Sequence, residues 1–557
     1  MGIKKIVIVG GVAGGATAAT KLRRLDEQAQ IVLFERGEYV SFANCGLPYY
    51  IGGKIQERQK LLVQTIEGME NRYKLEIRNQ TEVTSLNRHA KTITAKNLVT
   101  GEIYEESYDY LLLSPGAKPI VPEIDGLTKT KNVFTLRNIP DTDKIKTYVS
   151  QAGVKQAVII GGGFIGLEMA DNLHQLGLLV TVVEKGNQVM GPLDIEMASI
   201  VHHHLRQKGV KLIFENGVKS FSEEGLKITL EDGTVLTSDV TILSIGVQPE
   251  SQLAKDANLA VSENGGIVVN EYFQTDDASI YAVGDAIEVT DEILRTKTRV
   301  PLAWGANRQG RLVADYIYGN KKGKYTGALG TAVAKVFDLT VASTGVNEKT
   351  LKKQGLRYEK VHVHPASHAG YYPGATPVSI KLIFHPETGA LYGAQAIGEN
   401  GVEKRIDVIA TALKFKATVY DLPDLELSYA PPYSSAKDPV NMVGYVATNI
   451  VDNVVKVVHF DEVDQLIQEG NLFIDLRDKE ELEQGYIKGG IQIPLNELRN
   501  KISELPKNKK IILSCQVGYR GYIGSCILAQ EGFDVSNLSG GFKTYSTVYP
   551  ERVQFKS

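Results

Sequence analysis

Two stretches of one local design constrain this chain more than any other feature. The first is KKIVIVGGVAGGATAATKLRRL, from Lys4, and the second is QAVIIGGGFIGLEMADNLHQLG, from Gln156. Each is a short β-rich run, a glycine cluster and a helix-forming segment, and each is followed by a strand that ends on an acid: IVLFE at Glu35 and VTVVE at Glu184. In such a βαβ opening, a glycine turn lets the backbone approach a pyrophosphate at the positive end of a helix, and the later acid takes a ribose hydroxyl. Gly10 and Gly15 hold the first and third glycine places of the first copy, with Val12 where the second is expected. The later copy is complete, with Gly161, Gly163 and Gly166. Together they require an α/β chain with two Rossmann-like dinucleotide folds. YDYLLLSPGA (108–117) and DVTILSIGVQPE (239–250) read as buried strands leaving each fold, and TDDASIYAVGDA (275–286) as a strand that delivers Asp285 at a Gly-Asp turn.

At 557 residues the chain is too long for one core, and roughly four domains are expected. Its 43% apolar and 23% charged residues match soluble globular proteins, and a net charge of -3 gives no reason to expect nucleic acid or an anionic membrane as partner. No apolar stretch approaches the roughly 20 residues of a membrane span. The basic and apolar N-terminal run, which imitates a signal peptide, reads instead as strand, turn and helix start. Three cysteines, Cys45, Cys515 and Cys526, are too few for a disulfide framework and fit a reducing, cytoplasmic compartment. Nothing in the sequence points to a metal site.

SFANCGLPY (41–49), directly after the first βαβ unit, frames Cys45 with small and turn-forming residues. A nucleophilic cysteine works as a thiolate, which helix N-termini or basic neighbours favour, and Pro48 suits a first helical turn. No second cysteine occurs before Cys515. The oxidised form of Cys45 is therefore a mixed disulfide with a small thiol, a persulfide or a sulfenic acid.

The two glycine motifs with the Asp285 turn resemble the flavoprotein disulfide reductases, a resemblance that covers most of residues 1–447. It implies FAD on the first fold, with Asp285 on the ribityl chain, and NADH or NADPH on the second. Glu184 favours NADH by repelling a 2'-phosphate, and the adjacent Lys185 softens that preference. Phe164 and Glu168 match positions where nicotinamide stacks on flavin, so Phe164 is either a gate or core packing. Further cofactor contacts are expected from Ala13, Gly14, Glu35, Arg36, Ser114 and Gly116, and from Ile165, Gly246 and Ala303. Glutathione reductase has a second cysteine where Tyr50 stands here.

SFANCGLPY, GGVAGG, HAGYYPGA and LSYAPPYS together resemble the coenzyme A disulfide and persulfide reductases, in which a lone cysteine alternates with a cysteine–coenzyme A mixed disulfide. That likeness places Ser41 and Asn44 beside the thiol. It puts Lys21, Arg24 and, among Arg72, Tyr73 and Lys74, most simply Arg72 at coenzyme A; Lys21 and Arg23 equally suit a solvated helix face. Tyr371 and Tyr429 match tyrosines that reach Cys45 of the other subunit of a homodimer, with Tyr372 and Tyr433 as fallbacks. Related NADH oxidases and peroxidases, which use a sulfenic acid, carry a histidine where Ala13 stands, and this disfavours oxygen or peroxide as substrate.

Beyond about residue 447 a new α/β pattern begins. Asp475, Arg477, GYIKGG and IILSCQVGYRGYIGSCILAQEGF resemble rhodanese domains. A strand ends at Cys515, and a six-residue loop to Arg520 can aim backbone N–H groups at one sulfur, with Arg520 adding positive charge. Cys526 reads as structural, and an inactive, regulatory rhodanese fold is the alternative for the module. The expected domains are 1–115 with 248–324 (FAD), 116–247 (NAD(P)H), 325–447 (an α+β dimerisation domain), a linker over 448–457 and the rhodanese domain 458–557. The expected activity is NAD(P)H-dependent reduction of coenzyme A persulfide, polysulfide or disulfide at Cys45, with Cys515 handling sulfane sulfur. An NADH oxidase and a sulfur-relay or redox-sensing flavoprotein are the alternatives.

Overall fold

Ile6, Val7 and Ile8 have no exposed surface, and fully burying one such side chain is worth about 1.5–3 kcal/mol. They form the Lys5–Val9 strand at the centre of a parallel five-stranded sheet. Its order is Ile280–Ala282, Tyr110–Leu113, Lys5–Val9, Gln30–Phe34, Glu76–Arg78. Strands buried on both faces read as continuous apolar runs, which is why KIVIV and YLLL carry no alternation. The computed structural model describes residues 3–555.

A second parallel sheet repeats the plan, in the order Lys211–Ile213, Leu179–Val183, Gln156–Ile160, Val240–Leu243, Val133–Phe134. Each nucleotide fold also carries a three-stranded antiparallel sheet, and Ala117–Pro119 pairs antiparallel with Val247–Pro249 where the chain passes between them.

Contacts divide the chain into two compact units. One runs from the N-terminus to Asn187 and again from Gly209 to Gly330; the other comprises Gln188–Lys208 and everything from Thr331. The helix Ile195–Gln207, expected within the 116–247 domain, thus clusters with the second unit. The cause is polar: the Asp194 N–H donates to Gln395 Oε1 at 2.8 Å, and Glu196 meets buried Lys381 and His362.

The second unit contains an antiparallel sheet, ordered Ala332–Val336, Leu339–Gly345, Leu391–Gly398, Val378–Phe384, Glu359–Val363. Lys381 projects from it with no exposed surface and is paired with Asp194 at 2.9 Å, Glu348 at 2.7 Å and Glu196. A buried ammonium is tolerated only with such neutralising partners. The helix Pro439–Val451, capped by Asp438 and Asn441, runs four residues into the stretch expected as a 448–457 linker. The last module is a parallel sheet in the order Val457–Val458, Val535–Leu538, Ile511–Ser514, Leu472–Asp475, Ile491–Gln492. Among the described residues, no helix is long and apolar enough to cross a membrane, and no group of three or more potential metal ligands occurs.

Candidate active sites

At the first glycine turn, a Cβ on Gly15 would lie 1.8 Å from the Gly10 carbonyl oxygen, so only glycine lets the helix Gly14–Leu25 start this close to the strand. Ala13 is the residue before that helix, and Ser114 lies beside Gly10 and Gly14. Glu35 accepts from the Gly11 N–H at 2.8 Å and the Gly37 N–H at 2.7 Å. Asp285 sits in the Gly284–Ala286 turn, half-buried, with no hydrogen-bond partner among the described residues, and burial pushes its carboxyl pKa up. A carboxylate left unsatisfied in this way suits a ligand rich in hydroxyls. The helix from Ala303 has no side-chain cap, so its first N–H groups are also free for a ligand. The group therefore fits FAD. Arg36 is half-exposed and engages Glu250 at 2.7 Å, while Gly116 adopts φ +73°.

The second turn has the same build. Glu184 accepts from Gly162 at 2.7 Å and Gly186 at 2.8 Å. A Cβ on Gly163 would meet nothing within 4 Å, leaving open space in front of the uncapped helix Phe164–Gln175, as a dinucleotide pyrophosphate needs. Phe164 is half-buried at the helix start, Ile165 is exposed, and Gly246 is exposed at the end of the Val240–Leu243 strand. Lys185 is turned to Glu231 at 3.2 Å.

Cys45 lies in the single 3-10 turn Asn44–Gly46, before the short helix Leu47–Ile51 that carries Pro48 in its first turn. Ser41 has φ +48° and redirects the chain into this turn. The thiol is open to solvent on one side, yet burial, then Glu168 and Asp285, push its pKa up. Helix and charge were expected to act in the opposite direction. The helix has only five residues, and the neighbours are acidic rather than basic. These surroundings therefore disfavour the Cys45 thiolate. Glu168 itself is pushed up to about 6 by burial and Asp171, and Tyr49 donates to it at 3.3 Å. Tyr49 went unnoticed in the sequence because its partner is over a hundred positions away.

The expected coenzyme A residues differ in freedom. Lys21 pairs with Asp315 at 3.4 Å, whereas Arg24, Arg72 and Lys74 are exposed. Arg23 is buried and donates to the carbonyls of Tyr73, Lys74 and Asp26, so it is structural. In the second unit, the Tyr371 and Tyr429 hydroxyls lie 2.7 Å apart on an exposed surface, with Tyr372 and Tyr433 also exposed.

Cys515 is 1% exposed, and its Sγ accepts from the Gly518 N–H at 3.2 Å. The helix begins at Tyr519, so the loop is shorter than expected and Arg520 stands in the first helical turn. Arg520 does not stand free at the sulfur: it makes a two-pronged pair with Glu481, 2.6 Å on each prong, and that bond leads the causes holding it charged, with Cys515 contributing less. The buried cation beneath the loop is Arg477, bidentate to Asp475, stacked 4.0 Å from the Phe542 ring centroid and donating to Gln516 at 3.3 Å. Cys526 is half-buried in the helix Tyr519–Gln530.

Comparisons with known proteins agree with this build. Residues 4–310 match the pyridine nucleotide-disulphide oxidoreductase family, 331–439 the dimerisation domain of that family and 459–547 the rhodanese-like domain. The coenzyme A disulfide reductase of Staphylococcus epidermidis is 37% identical over 446 residues, 80% of this chain and all of that protein. The reduced CoADR-RHD of Bacillus anthracis is 58% identical with a TM-score of 0.99, covering 100% of both chains. A NAD-dependent persulfide reductase from A. fulgidus is 36% identical with a TM-score of 0.91, covering 97% of this chain and 100% of that one. With its two nucleotide folds, lone Cys45 thiol and a Cys515 loop of this geometry, the chain belongs to the pyridine nucleotide-disulphide oxidoreductases and carries a rhodanese-like domain at its C-terminal end.

Proposed function

We propose that this flavoprotein is an NAD(P)H-dependent reductase of coenzyme A persulfides, polysulfides and disulfides. The observation that carries it is a thiol, Cys45, set after the first nucleotide fold with no second cysteine before Cys515, in a chain that also holds a cradled Cys515. The coenzyme A disulfide reductase and persulfide reductase relatives support the substrate class. When bound, nicotinamide and flavin supply two electrons to sulfur. As thiolate, Cys45 attacks coenzyme A persulfide, releasing hydrosulfide and leaving a Cys45–coenzyme A disulfide; with coenzyme A disulfide it releases coenzyme A thiolate instead. The two electrons then cleave the mixed disulfide and restore both thiolates. Cys515 takes up and passes on sulfane sulfur.

Glu184, held by two turn N–H groups, favours NADH. Arg24 and Arg72, exposed on helices of the FAD fold, meet coenzyme A phosphates. In a homodimer, the Tyr371–Tyr429 phenol pair serves Cys45 of the partner copy, where a phenol stabilises a thiolate or protonates a leaving thiolate. Ala13 lacks a proton-handling side chain, which speaks against the oxidase alternative.

Anaerobic turnover with coenzyme A persulfide, coenzyme A disulfide and inorganic polysulfide, set against oxygen uptake, tests the proposal. Cys45→Ser should abolish all sulfur turnover while NADH still reduces the flavin. Intact mass of the isolated protein should show a coenzyme A adduct on Cys45. Oxygen uptake that dwarfs sulfur turnover and persists in Cys45→Ser would overturn the assignment.

A further inference from the structure

The Cys515 loop is walled by Ser539–Lys543. Gly540 and Gly541 adopt φ of +72° and +62°, and a Cβ on Gly541 would lie 2.3 Å from the Cys515 carbonyl oxygen and 2.8 Å from the Gly518 nitrogen. From this wall, the Phe542 N–H donates to the Cys515 carbonyl at 2.8 Å and the Lys543 N–H to the Gln516 carbonyl at 2.9 Å. The loop thus fixed is the one whose Gly518 N–H reaches the Cys515 sulfur.

The wall is itself held from outside the rhodanese-like domain. His364 follows the strand Glu359–Val363 of the antiparallel sheet, and its ring nitrogens bridge Ser379 Oγ at 2.8 Å and Thr544 Oγ1 at 2.9 Å. The His362 backbone N–H donates to Ser539 Oγ at 3.1 Å, and its ring is tied to Glu196 at 2.9 Å. Burial keeps both imidazoles neutral: His362 is pushed down to about 4 and His364 well below its ordinary value. A neutral imidazole has one donor and one acceptor, so it joins two hydroxyls with neither ring nitrogen unsatisfied.

We propose that His362 and His364, on the antiparallel sheet of the dimerisation domain, are positioning residues for Cys515, setting the geometry of its cradle through Ser539 and Thr544. The proposal deepens the function above and rests on Cys515 carrying sulfane sulfur. In that reaction the Cys515 thiolate displaces sulfite from thiosulfate and becomes a persulfide. Cyanide then removes the outer sulfur as thiocyanate and restores the thiolate, with no outside oxidant.

The test uses the full-length holoenzyme with Thr544→Val, a near-isosteric change that keeps the packing, alongside His364→Leu and the conservative His364→Gln. Three rates are read: thiosulfate-to-cyanide sulfur transfer, alkylation of Cys515 followed by peptide mapping, and NADH-driven coenzyme A disulfide turnover. Thr544→Val and His364→Leu should each lower sulfur-transfer kcat about tenfold, with the thiosulfate KM nearly unchanged, and slow Cys515 alkylation by a similar factor. The double variant should be no worse than either single one, His364→Gln should recover most of the loss, and coenzyme A disulfide turnover should be unaffected. Unchanged sulfur transfer and alkylation in Thr544→Val, or strictly additive losses in the double variant, would overturn the proposal. Absence of sulfur transfer in the wild type would instead refute the role of Cys515, and the alkylation rates would still decide whether the histidines position it.

Discussion

Acidification should loosen the second unit through its buried histidines, and His362 sets much of the size of the effect. His362 is fully buried and pushed down to about 4 from an ordinary value of 6.5 by burial. Glu196, which remains charged, pulls the other way, while Lys381 and His459 add to the depression. A histidine depressed in the folded state contributes stability that is complete above its unfolded pKa and is lost as pH falls through the folded one. At about pH 5, a shift from 6.5 to about 4 removes roughly 2 kcal/mol of that contribution.

His202 is also pushed down to about 4, by burial and then Arg206 and His203, and its Nε2 accepts from the Val189 N–H at 3.2 Å, a bond that protonation breaks. It adds a similar loss, again roughly 2 kcal/mol. Hydrogen exchange, read peptide by peptide, measures such local opening without assuming that a multidomain chain unfolds in one step. After correction for intrinsic rates, protection over 359–384 and 535–548 should fall about thirtyfold more between roughly pH 7.5 and 5 in the wild type than in His362→Gln. Equal losses in the two proteins would show that His362 is not protonated on opening, and would refute the reasoning.

Lys381→Met should destabilise the second unit by about 3–5 kcal/mol, seen as a lower urea midpoint, because Asp194, Glu196 and Glu348 would be left buried without their shared cation. Glu168→Gln removes the second largest cause raising the Cys45 pKa, so alkylation of Cys45 near neutral pH should speed up severalfold in the flavin-free protein. Cys515→Ser should impair coenzyme A persulfide turnover more than coenzyme A disulfide turnover in steady-state assays. Glu184→Ala should narrow the gap between the NADH and NADPH specificity constants by about tenfold or more, since a carboxylate fixed by Gly162 and Gly186 is the group that repels a 2'-phosphate.

The two nucleotide folds are legible in the sequence because their constraint is local: glycine spacing and an acid at the end of the next strand fall within one βαβ unit. Cys45 stands out for the same reason, framed by residues that can only be a turn. The electrostatics around it do not, since Glu168 comes from the helix Phe164–Gln175 and Asp285 from the Gly284–Ala286 turn, both far along the chain. The same holds for Glu196, His362 and Lys381, whose pairing joins segments well over a hundred positions apart. The rhodanese-like loop is legible as a motif, but its length and the partner of Arg520 are not. Glu481 lies in a 3-10 turn after the strand Leu472–Asp475, and no periodicity announces that it will cancel the charge.

The bonds from His364 to Thr544 and from His362 to Ser539 mean that the C-terminal module is not an interchangeable cassette. The coenzyme A disulfide reductase of S. epidermidis is matched along its whole length by 80% of this chain. Cutting this chain in the 452–457 stretch should therefore leave two scars: His364 without its Thr544 bond and the His362 N–H without Ser539 on one fragment, and a Cys515 wall without its buttress on the other. A foreign rhodanese domain grafted onto this chain should hold its cysteine loop best where the graft brings hydroxyls to those two histidines.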